Sequence, residues 1–384
     1  MKIPDASGLL IVANWRSDVG YAWWFMERIW VALAEAFSRH GGHTHIIYPR
    51  LLSVPARIAG ARIATHELDF SDRSPGNLSR LRELIQREHI KAVYLTDRNP
   101  LDPIYALLRG WGVQRIVIND QLPGDRTISR AKVAFKALAH RLRLFSGDLY
   151  IAPSKFVMDR FNRVYGIPSD RCLLIPNGIE PIDPATADRN HVRREFGIPA
   201  DAKIVTSLSR AVHYKGIGFI IDCADRLVNG EGRADLYFVH CGDGPDLEEF
   251  RGRVRALGLE HRFFLPGARP DYRMILAGSD VAMHASQGEG FSLAVLECMS
   301  AGLGMLVPDN SGNREAVEHN VSGYCYVPGD VDEGVSSLRR LLDDDTERQR
   351  LGAAARAAVL EKFTLDHTLA SFQQTAGRVL CGEV

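Results

Sequence analysis

The chain has 384 residues, 46% of them apolar and 24% charged. That length suits two domains rather than one core, and the composition excludes wholesale disorder. Lys plus Arg and Asp plus Glu each number 47, so the net charge of zero argues against a surface built throughout to grip nucleic acid.

Six cysteines, at 172, 223, 241, 298, 325 and 381, are far apart and form no Cys-x-x-Cys pair. They predict reduced thiols that pack as small hydrophobes, in a reducing compartment. The first 15 residues hold no apolar run long enough for a secretion signal, and no uncharged apolar stretch reaches the length of a membrane span. The expectation is a soluble, cytoplasmic protein.

Short apolar runs alternate with amphipathic segments. LLIVAN (9–14) reads as a buried strand, 22–42 as a helix ended by glycine, and THIIYP (44–49) as the next strand. KAVYLT (91–96), RIVIN (115–119), LYIAPS (149–154) and RCLLIPN (171–177) follow. The pattern restarts with KIVTSLS (203–209), a helix over GIGFIIDCADRLVNG, and DLYFVHCG (235–242). RFFLPG (262–267), VAMHAS (281–286), GMLVPD (304–309) and GYCYVP (323–328) complete the second series. Unbroken apolar runs between helices indicate parallel sheet covered on both faces. PNGIEPIDPATADRN, rich in Pro, Asn and Asp, reads as a linker. The prediction is α/β: two Rossmann-like doubly wound parallel-sheet domains facing a central cleft, over 1–178 and 179–365, with 366–384 a helix returning to the first. The acidic run at 343–345 reads as a solvated helical face.

The most informative motif is EGFSLAVLECMSAG (289–302), which follows a strand and opens a helix. Gly290 permits close backbone approach. Ser292 can cap the helix, whose first-turn amides near Leu293 then form an anion site. Glu297 lies one turn deeper and is directed back towards the helix start. SRAVHYKGIGF places Arg210 and Lys215 after the first strand of the second domain, where two cations can neutralise a diphosphate. HCGDGP (240–245) reads as a tight turn after a strand, and FLPGARPDY (264–272) as a further strand-end loop able to cradle a base.

These motifs, in this order, resemble the nucleotide-sugar-dependent glycosyltransferases of the two-Rossmann (GT-B) fold, specifically retaining glycosyltransferase family 4. The likeness covers the second domain and extends to IPNGIEP (175–181). It implies a retaining transfer of a hexose-type sugar from a UDP- or GDP-linked donor to a hydroxyl acceptor, in glycan, glycolipid or glycosylated-metabolite biosynthesis. It implies that Arg210 and Lys215 bind the diphosphate, that Glu289 with Gly290, Phe291, Ser292 and Leu293 contacts sugar and phosphates, and that Glu297 holds the ribose. Ser209, Gly242 and Gly267, in the strand-end loops, and Gly20 complete the donor set. No cofactor is implied beyond the donor, and no metal: no Asp-x-Asp stands at a strand end.

The first domain departs from the family. NWRSDVGYAWW supplies a single glycine, Gly20, where a glycine-rich loop is expected. RIVIND places Asn119 and Asp120 where a histidine is common. Asn119 can hold a sugar hydroxyl but cannot act as a base, so Asp97 and Asp120 become candidates for orienting the acceptor. Arg16, Tyr21 and Trp23 are further acceptor-side candidates. The histidines at 40, 43, 45, 66, 89 and 140 look scattered, and GGHTH reads as a turn into a strand rather than a metal site. Residues 126–145 carry six cations among apolar residues. They suit either a basic helix with its apolar side on the sheet, the reading preferred here, or a peripheral contact with the anionic inner face of a membrane. Residues 1–178 hold 25 Lys and Arg against 16 Asp and Glu, and the remainder 22 against 31, so neutrality is the sum of a basic and an acidic domain. No nucleic-acid partner is expected. Two alternatives are a nucleotide-sugar epimerase on this fold and a non-catalytic nucleotide-sugar-binding protein; a dehydrogenase is disfavoured because no Gly-x-Gly-x-x-Gly opens a helix after the first strand.

Overall fold

The computed structural model describes residues 7–124, 128–143, 145–183, 187–376 and 380, with the side chains of 20–23 and 375–376 left outside. The chain divides into two compact units, Met1–Pro176 with Asp366–Val384, and Asn177–Leu365.

The first unit holds seven parallel strands: β1 (Gly8–Val12), β2 (His43–Tyr48), β3 (Ile63–Glu67), β4 (Ile90–Thr96), β5 (Arg115–Asn119), β6 (Leu149–Ala152) and β7 (Cys172–Leu174). Their order is β3-β2-β1-β4-β5-β6-β7, so the winding reverses between β1 and β4. β1 is buried along its whole length, as a strand covered on both faces must be. Leu10, Val12, Ile47, Val93, Leu95, Ile116 and Ile118 share one core with Leu81, Leu84 and Ile85 of the helix Pro75–Arg87. The helix Leu365–Ser371 belongs to this unit from Asp366 on, with Thr368 Oγ1 donating to the Pro176 carbonyl at 2.9 Å and Phe372 fully buried.

The second unit holds six parallel strands: β8 (Lys203–Leu208), β9 (Leu236–Cys241), β10 (Phe263–Gly267), β11 (Val281–Met283), β12 (Gly304–Pro308) and β13 (Tyr324–Tyr326). Their order is β10-β9-β8-β11-β12-β13, with the reversal between β8 and β11. Loops at the carboxyl ends of strands flanking such a reversal diverge and leave room for a ligand.

Two predictions need correction here. β3 has no counterpart among the predicted strands, because it is an edge strand with no fully buried residue and IATHE carries no apolar run. The glutamate motif does not follow its strand directly: nine residues, 284–292, separate β11 from the helix Leu293–Ser300. The acidic run at 343–345 is a helix junction. Asp344 caps the next helix at the Glu347 amide, while Asp343 and Asp345 pair with Arg233 and Lys203.

Candidate active site

In the second unit, β8 delivers Ser209 and exposed Arg210, and a short turn, His213–Lys215, leads into the helix Ile217–Asp225. The neighbouring loops are pressed against this one backbone to backbone. A Cβ on Gly242, just after β9, would sit 1.7 Å from the Ser209 carbonyl oxygen. Gly216, at φ +74, would place a Cβ 2.1 Å from the Ala285 carbonyl oxygen in the loop after β11. Gly267 ends β10, and its carbonyl accepts the Gly242 amide at 2.9 Å. The glycines of these turns therefore bring four strand ends together before any side chain is considered.

Lys215 Nζ lies 2.5 Å from Glu289 Oε1, and His284 Nε2 lies 3.2 Å from the same oxygen. Burial works to raise the pKa of Glu289, but the His284 hydrogen bond and the Lys215 charge outweigh it and hold the carboxyl down at about 2. The loop carrying Glu289 is fastened by the one after β12. Ser311 Oγ accepts the Glu289 amide at 3.0 Å, Gly312 donates its amide to the Glu289 carbonyl, and Asn310 Nδ2 donates to the carbonyls of Ser286 and Gln287. Gly312, in turn, packs against the Gly290 carbonyl.

Ser292 caps the helix Leu293–Ser300 by accepting the Val295 amide. The Leu293 and Ala294 amides, one residue short of that bond, have no intrahelical acceptor and present partial positive charge. Phe291 is buried with its ring against Phe363, and its carbonyl accepts from Asn177 Nδ2 at 3.1 Å. Its side chain is therefore core. Glu297 is buried and accepts the Tyr272 hydroxyl at 2.6 Å; burial raises its pKa, and the Tyr272 bond offsets part of that. His284, Tyr272, Asn310 and Ser311 were not singled out in the sequence. Each occupies a loop or short helix following a strand, a position that is the one available signal.

In the first unit, the same edge of the sheet gathers Asn14 after β1, Asp97 after β4, and Asn119 and Asp120 at the end of β5. Asn14 Nδ2 donates to the Thr96 carbonyl, and the Asp97 amide donates to the Asn119 carbonyl at 2.8 Å. Asn14 Oδ1 and Thr96 Oγ1 are buried with no hydrogen-bond partner among the described residues, and the buried Asn119 amide is directed at the Tyr94 hydroxyl. Asn119 Oδ1 accepts from Gln121 Nε2, and Asp97 Oδ1 accepts the Gln121 amide at 2.6 Å. Asp97 itself has φ +50, in the left-handed region that Asp tolerates. Burial, reinforced by the nearby Asp120 charge, raises its carboxyl to about 7.

Asp120 departs from the expectation of an acceptor-orienting group. Its Oδ2 meets Arg160 Nη2 at 2.7 Å with both side chains buried, and its Oδ1 accepts the Leu122 amide. Arg160 continues to the carbonyls of Leu122 and Gly124. The carboxylate thus pins the loop after β5.

The paired units, each with a polar set at the carboxyl edge of a doubly wound sheet, have counterparts among known proteins. Residues 188–358 match the family described as "Glycosyl transferases group 1", and residues 26–182 match "Glycosyltransferase Family 4". The chain belongs to the family 4, group 1 glycosyltransferases. It is 23% identical over 349 residues to N-acetyl-alpha-D-glucosaminyl L-malate synthase of Bacillus anthracis, covering 89% of this chain and 90% of that one. It is 26% identical over 343 residues to a GDP-mannose-dependent alpha-(1-6)-phosphatidylinositol monomannoside mannosyltransferase of Mycobacterium tuberculosis, covering 82% and 83%. Among solved structures, a glycosyltransferase from Rickettsia africae superposes with TM-score 0.80 at 19% identity, covering 99% of this chain and all of that one. HepE from Anabaena, in complex with UDP and glucose, gives 0.74 at 18%, covering 98% and 100%. These likenesses show the two-domain Rossmann-like fold.

The remaining candidates of the glycosyltransferase are placed as follows. Gly20, Tyr21 and Trp23 lie in the first turn of the helix Gly20–Arg39, and their side chains are outside the described residues. Arg16 is exposed and paired at 2.8 Å with Asp18 of its own loop. Within 126–145, Arg126, Thr127 and Leu144 lie outside the described residues, and Arg130–Arg141 is a helix. Its packing overturns the reading of an apolar side laid on the sheet: Phe135 is 74% exposed, Leu138 54% and Leu142 59%, while His140 is buried and Lys136 turns back to the Val164 carbonyl. No helix among the described residues is long and apolar enough to cross a membrane. The five described cysteines are free; burial pushes the thiols of Cys172, Cys223 and Cys241 up to about 12, so they stay protonated and inert. The histidines at 43, 45 and 66, scattered in sequence, come together in space.

Proposed function

We propose that this glycosyltransferase moves a hexose-type sugar from a nucleoside-diphosphate sugar to a hydroxyl acceptor, with retention and without metal in the transfer step. The observation that carries the reading is the Lys215–Glu289–His284 cluster beside the capped start of Leu293–Ser300. Departure of a diphosphate is mainly an electrostatic task, and fixed cations and amide dipoles stabilise developing charge without reorganising. In this reading Arg210, Lys215 and the Leu293 and Ala294 amides hold the diphosphate. Glu289, anionic throughout the neutral range, accepts sugar hydroxyls and does not act as a proton donor. Glu297, steadied by Tyr272, receives the ribose hydroxyls.

On the first unit, Asn119 offers its buried Nδ2 to a sugar hydroxyl and Asp97 orients the acceptor, with the leaving phosphate itself taking the acceptor proton. The exposed Phe135, Leu138 and Leu142 among cations favour an acceptor held at an anionic membrane surface. The base is uracil or guanine: a relative is named for GDP-mannose and a structural neighbour is titled with UDP.

Thermal-shift screening against nucleoside diphosphates and nucleotide sugars, followed by turnover across an acceptor panel, tests the proposal. The expected result is stabilisation by one base class and transfer with the donor's anomeric configuration kept, by NMR of the product. Donor binding with no transfer, or inversion at the anomeric carbon, overturns it. Liposome flotation at low and moderate salt tests the membrane arm, and absence of binding at both removes it.

A further inference from the structure

His43 and His45 stand two apart on β2 and so point to one face of the sheet. β3 pairs with β2 so that His66 lies opposite Ile47, which puts the His66 side chain on that face too. The helix Pro75–Arg87 packs over it and ends at Glu88. A ring nitrogen of His43, a ring nitrogen of His45 and a carboxylate oxygen of Glu88 lie within 4.8 Å of one another.

The hydrogen bonds around this group sort its lone pairs. His43 Nε2 is 2.9 Å from the Glu88 carbonyl, which can only accept, so Nε2 carries the proton and Nδ1 the lone pair. His45 Nδ1 is 2.9 Å from His66 Nε2, and the His45 Nε2 atom faces Glu88 Oε2 at 3.7 Å. Arg87 holds the other carboxylate oxygen, Oε1, at 2.8 Å. Two imidazoles and a carboxylate thus converge in a half-buried setting, each already held by a further partner, as metal ligands usually are.

We propose that His43, His45 and Glu88 form a binding site for a borderline divalent cation of the zinc type, through one ring nitrogen of each histidine and a carboxylate oxygen, with His66 as the outer partner that fixes the His45 ring. Bonds near 2.0 to 2.2 Å require the three atoms to close to about 3.3 Å from one another, a movement within reach of side-chain rotation. Two imidazoles and a carboxylate select Zn²⁺, Co²⁺ or Ni²⁺ over Mg²⁺ or Ca²⁺. His43 begins β2, so the site lies at the amino edge of the sheet, opposite the edge that carries Asn14, Asp97 and Asn119. The cation therefore fastens β2 to the end of the helix Pro75–Arg87 and takes no part in sugar transfer.

The test uses the full-length chain, freed of metal by a chelator and titrated with Zn²⁺ by calorimetry and with Co²⁺ by absorption. The expected result is one equivalent bound, Co²⁺ d–d bands of a low-coordinate nitrogen and oxygen site, and a Tm rise of about 5 °C at a hundredfold excess over Kd. His43→Gln and Glu88→Gln, both at positions short of full burial, are expected to lose binding at least tenfold. Turnover is expected to be unchanged by Zn²⁺. No uptake by the wild-type chain overturns the proposal, and so does uptake unaltered in both variants. Should a variant fail to fold, X-ray absorption of the wild-type Zn²⁺ protein decides: imidazole scattering supports the site, and an oxygen-only shell overturns it.

Discussion

Lys215 and Glu289 are 74 positions apart, yet their side chains meet at 2.5 Å because the loops after β8 and β11 flank the reversal of the second sheet. Lys215→Ala leaves the Glu289 carboxylate buried beside His284 alone, and Glu289→Gln removes the partner of the lysine. Each is expected to cut transfer at least about 100-fold, the scale for losing one preorganised electrostatic group. Steady-state turnover with purified donor measures this, and full activity in either variant refutes the assignment. The acid side gives a second check. The pKa of Glu289 is depressed to about 2, so the stability it contributes is complete above the unfolded value near 4.5 and is lost as pH falls through 2. The stability gap between wild type and Glu289→Gln should therefore be widest at neutral pH, narrow as pH falls below about 4.5 and close only near pH 2.

Sequence patterning was most informative where burial is most complete. RIVIN matched β5 residue for residue, and the other predicted strands erred only at their ends, because a strand buried on both faces must be apolar throughout. The edge strand β3 escaped for the converse reason: with little to bury, IATHE has no pattern to read. The donor loop was legible through glycine spacing and a capping serine, both local devices. His284, Tyr272 and Asn310 were not, since their roles come from loops that meet only in three dimensions. The same holds for Arg160, 40 residues from the Asp120 it neutralises, and for His66, which reaches His45 across a strand pairing.

Arg160 and Asp120 supply a test that separates scaffold from chemistry. Arg160→Met strands a buried carboxylate and is expected to cost about 3 to 5 kcal/mol in urea unfolding. The double variant Arg160→Met, Asp120→Asn, which removes both charges, should recover most of that loss. Asp120→Asn alone should lower stability while leaving turnover per folded molecule near wild type. A selective loss of turnover with unchanged stability would instead return Asp120 to the reacting groups.

Gly242→Ala tests the claim that glycine spacing assembles the donor loops. The added methyl would fall 1.7 Å from the Ser209 carbonyl, which belongs to main chain and cannot rotate away. The loop carrying Ser209 and Arg210 must shift. We expect a lower Tm and a donor KM raised at least about tenfold, as loss of a positioned phosphate contact would give. An unchanged donor KM would mean that the close approach of these loops does not position the donor.

Asp97 offers the sharpest pH test in the first unit. Burial and the neighbouring Asp120 charge raise its carboxyl to about 7, whereas an unfolded aspartate titrates near 3.9. Between those values the folded chain keeps a proton that the unfolded chain has released, so stability falls as pH rises from 4 to 7 and then levels. Asn at this position keeps an oxygen for the Gln121 amide and tolerates φ +50. Asp97→Asn is therefore expected to match wild type at pH 4 and to exceed its Tm by about 3 °C at pH 8. If Asp97 also orients the acceptor, the same substitution raises acceptor KM without changing donor KM and removes any limb near pH 7 from the kcat/KM profile. A Tm difference that does not vary with pH would show that the carboxyl is already ionised in the folded chain.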